Sequence, residues 1–328
     1  MELSPEEFED LVGAFALDAC EPDEVDAMER YIGTHREAAV EVERLREIAM
    51  GIGAAGALRP PVALRERMVL AAGDRPSALP VHEALERETE RFERFLSTVD
   101  ERDLDVRTHN GLTLRELVQH VEAIDRAFAD AAADPESAFI GPDELETITA
   151  ADLPARAGEP FTETVTRLRR TRRRLLGLHD QLPEDQRVAG YRRDDMLVVR
   201  TFETWTHHDD VRRAVGLDEA LPDAAVMRTM AELAVKSLPL ALGVRGTAQP
   251  GRTVRLVLDG RGGGEWMIAA APGEAPGSDP DVVVRASAVD WCRRFADRIE
   301  PDELVFTAEG DEDLAHDLVA AANAFAGL

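Results

Sequence analysis

Cysteine is almost absent: the 328 residues hold only Cys20 and Cys292, far apart and in unlike contexts. Two distant cysteines make neither a disulfide framework nor a C-x-x-C metal site, and a reducing cytoplasm is the expected compartment. Long apolar runs are also missing. The longest uncharged stretches, Ile48 to Leu58 and Leu318 to Leu328, are short and rich in glycine or alanine. A bilayer span needs ~20 predominantly apolar residues, so no membrane anchor is expected. The opening residues MELSPEEFED are acidic and lack the basic and apolar regions of a signal peptide. Basic residues are scarce too, 38 against 65 acidic ones for a net charge of −27, and the lone lysine is Lys236. Broad attraction to nucleic acid is thereby disfavoured, leaving a small molecule or a basic or neutral protein as partner. The shortage of lysine fits a GC-rich genome, with a salt-adapted proteome as the competing reading. Aromatics make up 5% of the chain, so the core must come mostly from Leu, Val and Ala, which favours helices.

What is present falls into three segments. In residues 1–75, Ser4-Pro5-Glu6-Glu7 reads as an N-cap, a first-turn proline and a capping-box glutamate, followed by Phe8, Leu11, Val12 and Phe15 at helical spacing. A second helix begins at Glu21 to Glu24, and Val40 to Ile48 belongs to a third. Gly51 to Pro61 reads as a linker and Val62 to Ala72 as one more short helix. This segment has 17 acidic and 8 basic residues.

Residues 77–242 predict four long helices: one around Val81 to Leu96, one opened by the capping box Thr113 to Glu116, one carrying Leu168, Leu175 and Leu178, and one from about Leu197 to Val215. Long helices with polar connections suggest a four-helix bundle, with Pro222 to Leu242 adding a helix that leads out of it. Residues 250–328 change to strand-like runs at Val254 to Leu258, Trp266 to Ala269, Asp281 to Arg285 and Leu304 to Thr307. Helices are expected at Ala288 to Ala296 and Glu312 to Ala326. The fold class is multidomain and mainly α, ending in a small α+β domain.

Chemistry concentrates in Glu203-Thr204-Trp205-Thr206-His207-His208-Asp209-Asp210. Glu203 and His207 are four apart and share a helix face. An inward carboxylate and imidazole suit a divalent ion such as zinc. His120 lies in the apolar stripe of the second bundle helix and is the candidate third ligand. Three ligands would leave a position open for water or substrate. A hydrogen-bonded core histidine is the competing reading. Asp210 either orients His207 or is a solvated acid, and His208 is expected at the surface. The run Arg167, Arg169, Arg170, Arg172, Arg173 and Arg174 is either the wet face of its helix or a dock for an anion or for the acidic first segment. Gly260 to Gly264 lacks the context and ending of a phosphate loop and reads as a hairpin turn. Cys292 reads as core.

Two resemblances follow. Leu112 to Val121 with Glu203-x-x-x-His207-x-x-Asp210 resembles the DinB-like bundle of mycothiol-dependent maleylpyruvate isomerases and related thiol transferases. That family often has tryptophan before the capping threonine, where Leu112 stands here. The resemblance implies metal ligation by His120, Glu203 and His207 and a mycothiol cofactor. Residues 250–328 are similar to the sterol-carrier-like domain that often follows this bundle. The match runs through Val254 to Trp266, Arg298, Glu309-Gly310-Asp311 and the closing helix. It implies an arginine that helps bind substrate or thiol, for which Arg298 is the best match. Residues 1–75 resemble the N-terminal domain of anti-sigma factors through Leu11 to Ala19, Pro22-Asp23-Glu24 and Pro60-Pro61. Tyr31, His35 and Ala38 occupy the positions of that family's H-x3-C-x2-C zinc ligands, so no zinc is expected there, and a sigma factor becomes a possible partner. The reading that results is a cytoplasmic, metal-dependent, mycothiol-type isomerase or S-transferase acting on a small electrophile. The alternatives are an anti-sigma-type regulator that uses the bundle as a sensor, and a degenerate bundle that only binds metal.

Overall fold

A computed structural model describes residues 3–17, 19–20, 22–55, 77–108, 111–134 and 140–323. The chain divides into two compact units, Met1–Gly73 and Asp74–Leu328. In the first, helix α1 (Pro5–Ala16) starts on the Ser4–Glu7 capping box with proline in its first turn. Helices α2 (Pro22–Thr34) and α3 (Arg36–Ala55) follow it. Phe8, Phe15, Met28, Ala38 and Val42 form its core. The linker expected from Gly51 is helical as far as Ala55, where α3 ends. A helix interior tolerates a glycine at about 1 kcal/mol, and Gly51 and Gly53 sit among good helix formers. The rest of that linker and the Val62 to Ala72 helix lie outside the described residues.

The second unit begins with four long helices and one shorter one: α4 (Val81–Leu96), α5 (Leu114–Ala133), α6 (Pro142–Ala155), α7 (Phe161–His179) and α8 (Arg193–Ala214). Both bonds of the Thr113–Glu116 capping box form. The stripe Leu114, Leu117, Val118, Val121, Ile124 and Phe128 is buried. Helix α5 packs along α7, and α4 along α8. Before α8, strands β1 (Arg187–Val188) and β2 (Tyr191–Arg192) form a tight hairpin. Its two turn residues, Ala189 and Gly190, both have positive φ, 52° and 93°. That pairing matches the strand twist, although alanine adopts it only under strain.

The helix expected over Pro222 to Leu242 is two helices, α9 (Ala224–Lys236) and α10 (Leu238–Arg245). Pro239, in the first turn of α10, has no amide hydrogen to carry the ladder across the junction. The sheet has the order β4-β3-β5-β6, from β3 (Thr253–Asp259), β4 (Gly264–Ala269), β5 (Val282–Ser287) and β6 (Phe306–Gly310). Strands β3 and β5 are parallel and the other pairs antiparallel. Helices α11 (Ala288–Phe295) and α12 (Glu312–Ala321) complete the unit. The last residues of the expected closing helix, 324–326, lie outside the described residues. Val254, Leu256, Val282 and Val284 share one core with Trp291, Leu318 and, from α8, Phe202 and Trp205. Helix α8 is thus anchored in both the helices and the sheet. Among the described residues, no helix is long and apolar enough to cross a membrane.

The glycine turn between β3 and β4 is a hairpin, as the sequence suggests, and it docks on α9. Arg228 donates to the Gly263 carbonyl at 2.8 Å and lies over the Trp266 ring, 4.3 Å from its centroid. A Cβ on Gly262 would come within 2.6 Å of the Arg228 backbone nitrogen, and its φ is +73°. Gly262→Ala is therefore expected to cost about 2–3 kcal/mol in urea unfolding. A loss below 1 kcal/mol would show that the turn does not hold α9.

Candidate metal centre

Helix α8 places Glu203 and His207 one turn apart. His207 Nε2 lies 3.1 Å from Glu203 Oε2, and His207 Nδ1 lies 3.1 Å from Asp210 Oδ2. From α5, His120 meets His207 edge-on with ring centroids 5.3 Å apart. His120 Nδ1 pairs with Thr149 Oγ1 of α6 at 2.9 Å. One ligand atom from each of His120, Glu203 and His207 lies within 4.8 Å of the others. Among the described residues, this is the one group of three His, Cys, Asp or Glu side chains that converges so closely.

The donor set fits a divalent ion. Each imidazole has Nδ1 held by an outer partner, which leaves Nε2 as ligand, the usual support for metal-bound histidine. Two nitrogens and one carboxylate oxygen suit zinc-like ions. Electrostatics agrees. Burial, with the charge of His207, pushes His120 down to about 4, so it is neutral at pH 7. Burial works against the charge on Glu203, but the His207 hydrogen bond and the charges of His207, Arg200 and Arg298 hold it well below the usual carboxylate range. Burial likewise lowers His207, yet Asp210 and Glu203 outweigh it and raise its pKa.

Arg298 reaches this cluster from the sheet part of the unit. Its Nη2 donates to Asp210 Oδ2 at 3.2 Å, the oxygen that also faces His207 Nδ1. The turn presenting it ends α11: Asp297 has φ 56°, and the Arg298 amide donates to the Arg293 carbonyl at 2.8 Å. Asp297 Oδ1 accepts from Asn323 at 2.7 Å.

Two expectations need correction. His208 is buried, packed between the Phe92 and Phe95 rings, because α8 is covered on nearly every side. The arginine run is not uniformly wet. Arg172 is buried and donates to Asp125 Oδ2 at 2.7 Å, Thr89 at 2.9 Å and Thr204 at 2.8 Å. Arg169 and Arg174 pair with Glu93 and Asp130 at the surface, Arg167 pairs with Glu159, and Arg170 and Arg173 are exposed. Cys292 is buried and burial pushes its thiol far up, as suits a core residue. In the first unit, Tyr31 and His35 stack 4.0 Å apart and Ala38 is buried.

Thr149, Asp125 and Arg200 were not singled out from sequence. Asp125 alone carried a usable signal, a charge one residue past Ile124 in an apolar stripe.

Two solved structures resemble this fold: the mycothiol-dependent maleylpyruvate isomerase and a mutant of it. They are 22% and 21% identical, with TM-scores of 0.44 and 0.45, and each comparison covers 70% of this chain and 93% of that one. No curated protein matches the sequence. Residues 85–212 match the family described as the mycothiol maleylpyruvate isomerase N-terminal domain, and all three convergent side chains lie within the matched segment.

Proposed function

We propose that residues 77–328 act as a metal-dependent, mycothiol-type thiol enzyme, an isomerase or S-transferase for a small electrophile. The observation that carries this reading is the convergence of His120, Glu203 and His207 with both outer imidazole nitrogens already held. A divalent ion bound there, zinc by its donor set, would lower the pKa of a coordinated thiol and keep it as thiolate at neutral pH. The chain's own residues hold and orient. Thr149 fixes the His120 ring, and Asp210 fixes that of His207. Arg298 secures the Asp210 oxygen, which makes it a positioning residue for the ligand set. The Glu203 side chain keeps a third of its surface accessible, which supports approach from that side. Residues 1–75 carry an acidic charge that would suit a basic surface such as that of a sigma factor.

The test is turnover of mycothiol with a panel of electrophiles that includes maleylpyruvate. A chain of residues 77–328 is expected to match the full chain. Arg298→Ala is expected to lower kcat/KM about 10–150-fold, the equivalent of the roughly 1.5–3 kcal/mol that a charged hydrogen bond contributes. Absence of thiol-dependent turnover across the panel, with tight sigma-factor binding by the full chain, would establish the regulatory alternative instead.

A further inference from the structure

We propose that His82, His179 and Asp180 form a second site for a zinc-type divalent ion, where α4 starts and α7 ends. The inference goes beyond the enzyme reading and uses none of its residues. His82 lies in the first turn of α4, His179 is the last residue of α7, and Asp180 caps that helix. Asp194, in the first turn of α8, borders the same place. It stands thirteen residues before His207 on α8, about 20 Å along the helix at 1.5 Å per residue, so the two sites are separate.

Each imidazole has one nitrogen against an outer carboxylate and the other facing Asp180. His82 Nδ1 lies 3.3 Å from Glu86 Oε2, one turn on in α4, and its Nε2 lies 3.6 Å from Asp180 Oδ2. His179 Nε2 pairs with Asp194 Oδ1 at 3.0 Å, and its Nδ1 lies 3.5 Å from Asp180 Oδ1. Arg193 donates to the same Asp194 oxygen at 2.8 Å and fixes it. Metal-bound histidines are oriented in this way, by a carboxylate on the nitrogen that is not the ligand. The His179 side chain is 7% exposed, and its Nδ1 is buried with no hydrogen-bond partner. Such a nitrogen is costly to leave unpaired, and an ion would satisfy it. The distances agree. Ligands about 2.0–2.1 Å from a tetrahedral ion stand about 3.3–3.5 Å from one another, whereas a nitrogen–oxygen hydrogen bond runs about 2.7–3.2 Å. The Asp180 contacts, at 3.5 and 3.6 Å, have the ligand spacing. Two imidazoles and a carboxylate suit zinc, and Glu86, Asp180 and Asp194 supply the negative charge that a cation needs. The ring centroids of His82 and His179 are 6.3 Å apart, so this site is more open than the first centre. It closes by a turn of the His82 and Asp180 side chains, which both reach solvent. The open ligands make it the weaker of the two, filled from added zinc rather than holding an ion through purification.

Calorimetric titration of the metal-loaded full chain with zinc chloride tests this. One further ion per chain should bind, with lower affinity than the first. His82→Ala and Asp180→Ala should each abolish that second event and leave the first ion in place, and neither removes a core side chain. Asp194→Ala keeps all three ligands but frees the His179 ring, and should weaken the second ion about 10–100-fold. No second event in the parent chain, or one that persists unchanged in both His82→Ala and Asp180→Ala, would overturn the site. The His207→Ala chain separates this inference from the enzyme reading. Zinc uptake there that the added His82→Ala removes would keep the second site, whatever becomes of the enzyme. Thiol turnover in a parent chain with no His82-dependent zinc would keep the enzyme reading and sink the second site.

Discussion

Asp125→Ala is expected to cost about 3–5 kcal/mol, the penalty for stranding buried charges. The Asp125 carboxylate is almost fully buried and binds Arg172 through one oxygen and Arg200 through the other, each at 2.7 Å. Removing it leaves two guanidinium groups in the core with no counter-charge. The exposed Arg174–Asp130 pair is the control: it has half its surface in water, and Asp130→Ala should cost no more than about 1 kcal/mol. Urea unfolding of both variants measures the contrast, and equal small losses would refute it. The pH dependence has a defined sign. Burial works against the Asp125 charge, but the two arginines hold its pKa below the ordinary 3.8. A carboxyl lowered by folding contributes stability that is present above its unfolded pKa and lost as pH falls through the folded one. Its contribution should therefore stay constant from pH 8 to about 5 and fade only below about 4.

The same buried pairs explain what was legible in the sequence. The capping boxes at Ser4 and Thr113, the i,i+4 spacing of Glu203 and His207, and the place of His120 in an apolar stripe are local patterns, and the helices carry them into space directly. The sheet strands were legible from short β-branched runs, although β6 starts at Phe306 rather than Leu304. Other features depend on which helix covers which. Arg172 reads like its neighbours in the arginine run until α5 brings Asp125 against it. His208 looks solvated because burial of α8 on nearly every side has no signature in a segment rich in Thr, His and Asp. Thr149 supports His120 from 29 residues away, and Arg298 reaches Asp210 from 88 away. Neither pairing leaves a trace in local spacing.

The ligand cluster yields the second large effect. His207→Ala is expected to abolish most metal binding, and His120→Ala to do nearly the same, because each removes one of three converging donors. Asp210→Ala leaves all three in place but frees the His207 ring and the Arg298 guanidinium, so its loss should be about 10–100-fold in metal affinity. This ordering separates a metal site from a core histidine cluster, in which the three substitutions would alter stability but not metal content. Protons provide a second measure. The pKa of His207 is raised by Asp210 and Glu203, so a proton competes with the ion there as pH falls below that value. His120, lowered to about 4, should not compete until much more acidic solution. Metal affinity should thus weaken by one proton per ion through mildly acidic pH and steepen only near pH 4. Elemental analysis of the purified proteins, with affinities from chelator competition across pH, measures both. Full metal retention by the His120→Ala and His207→Ala chains would show that the ion, if one is present, sits elsewhere.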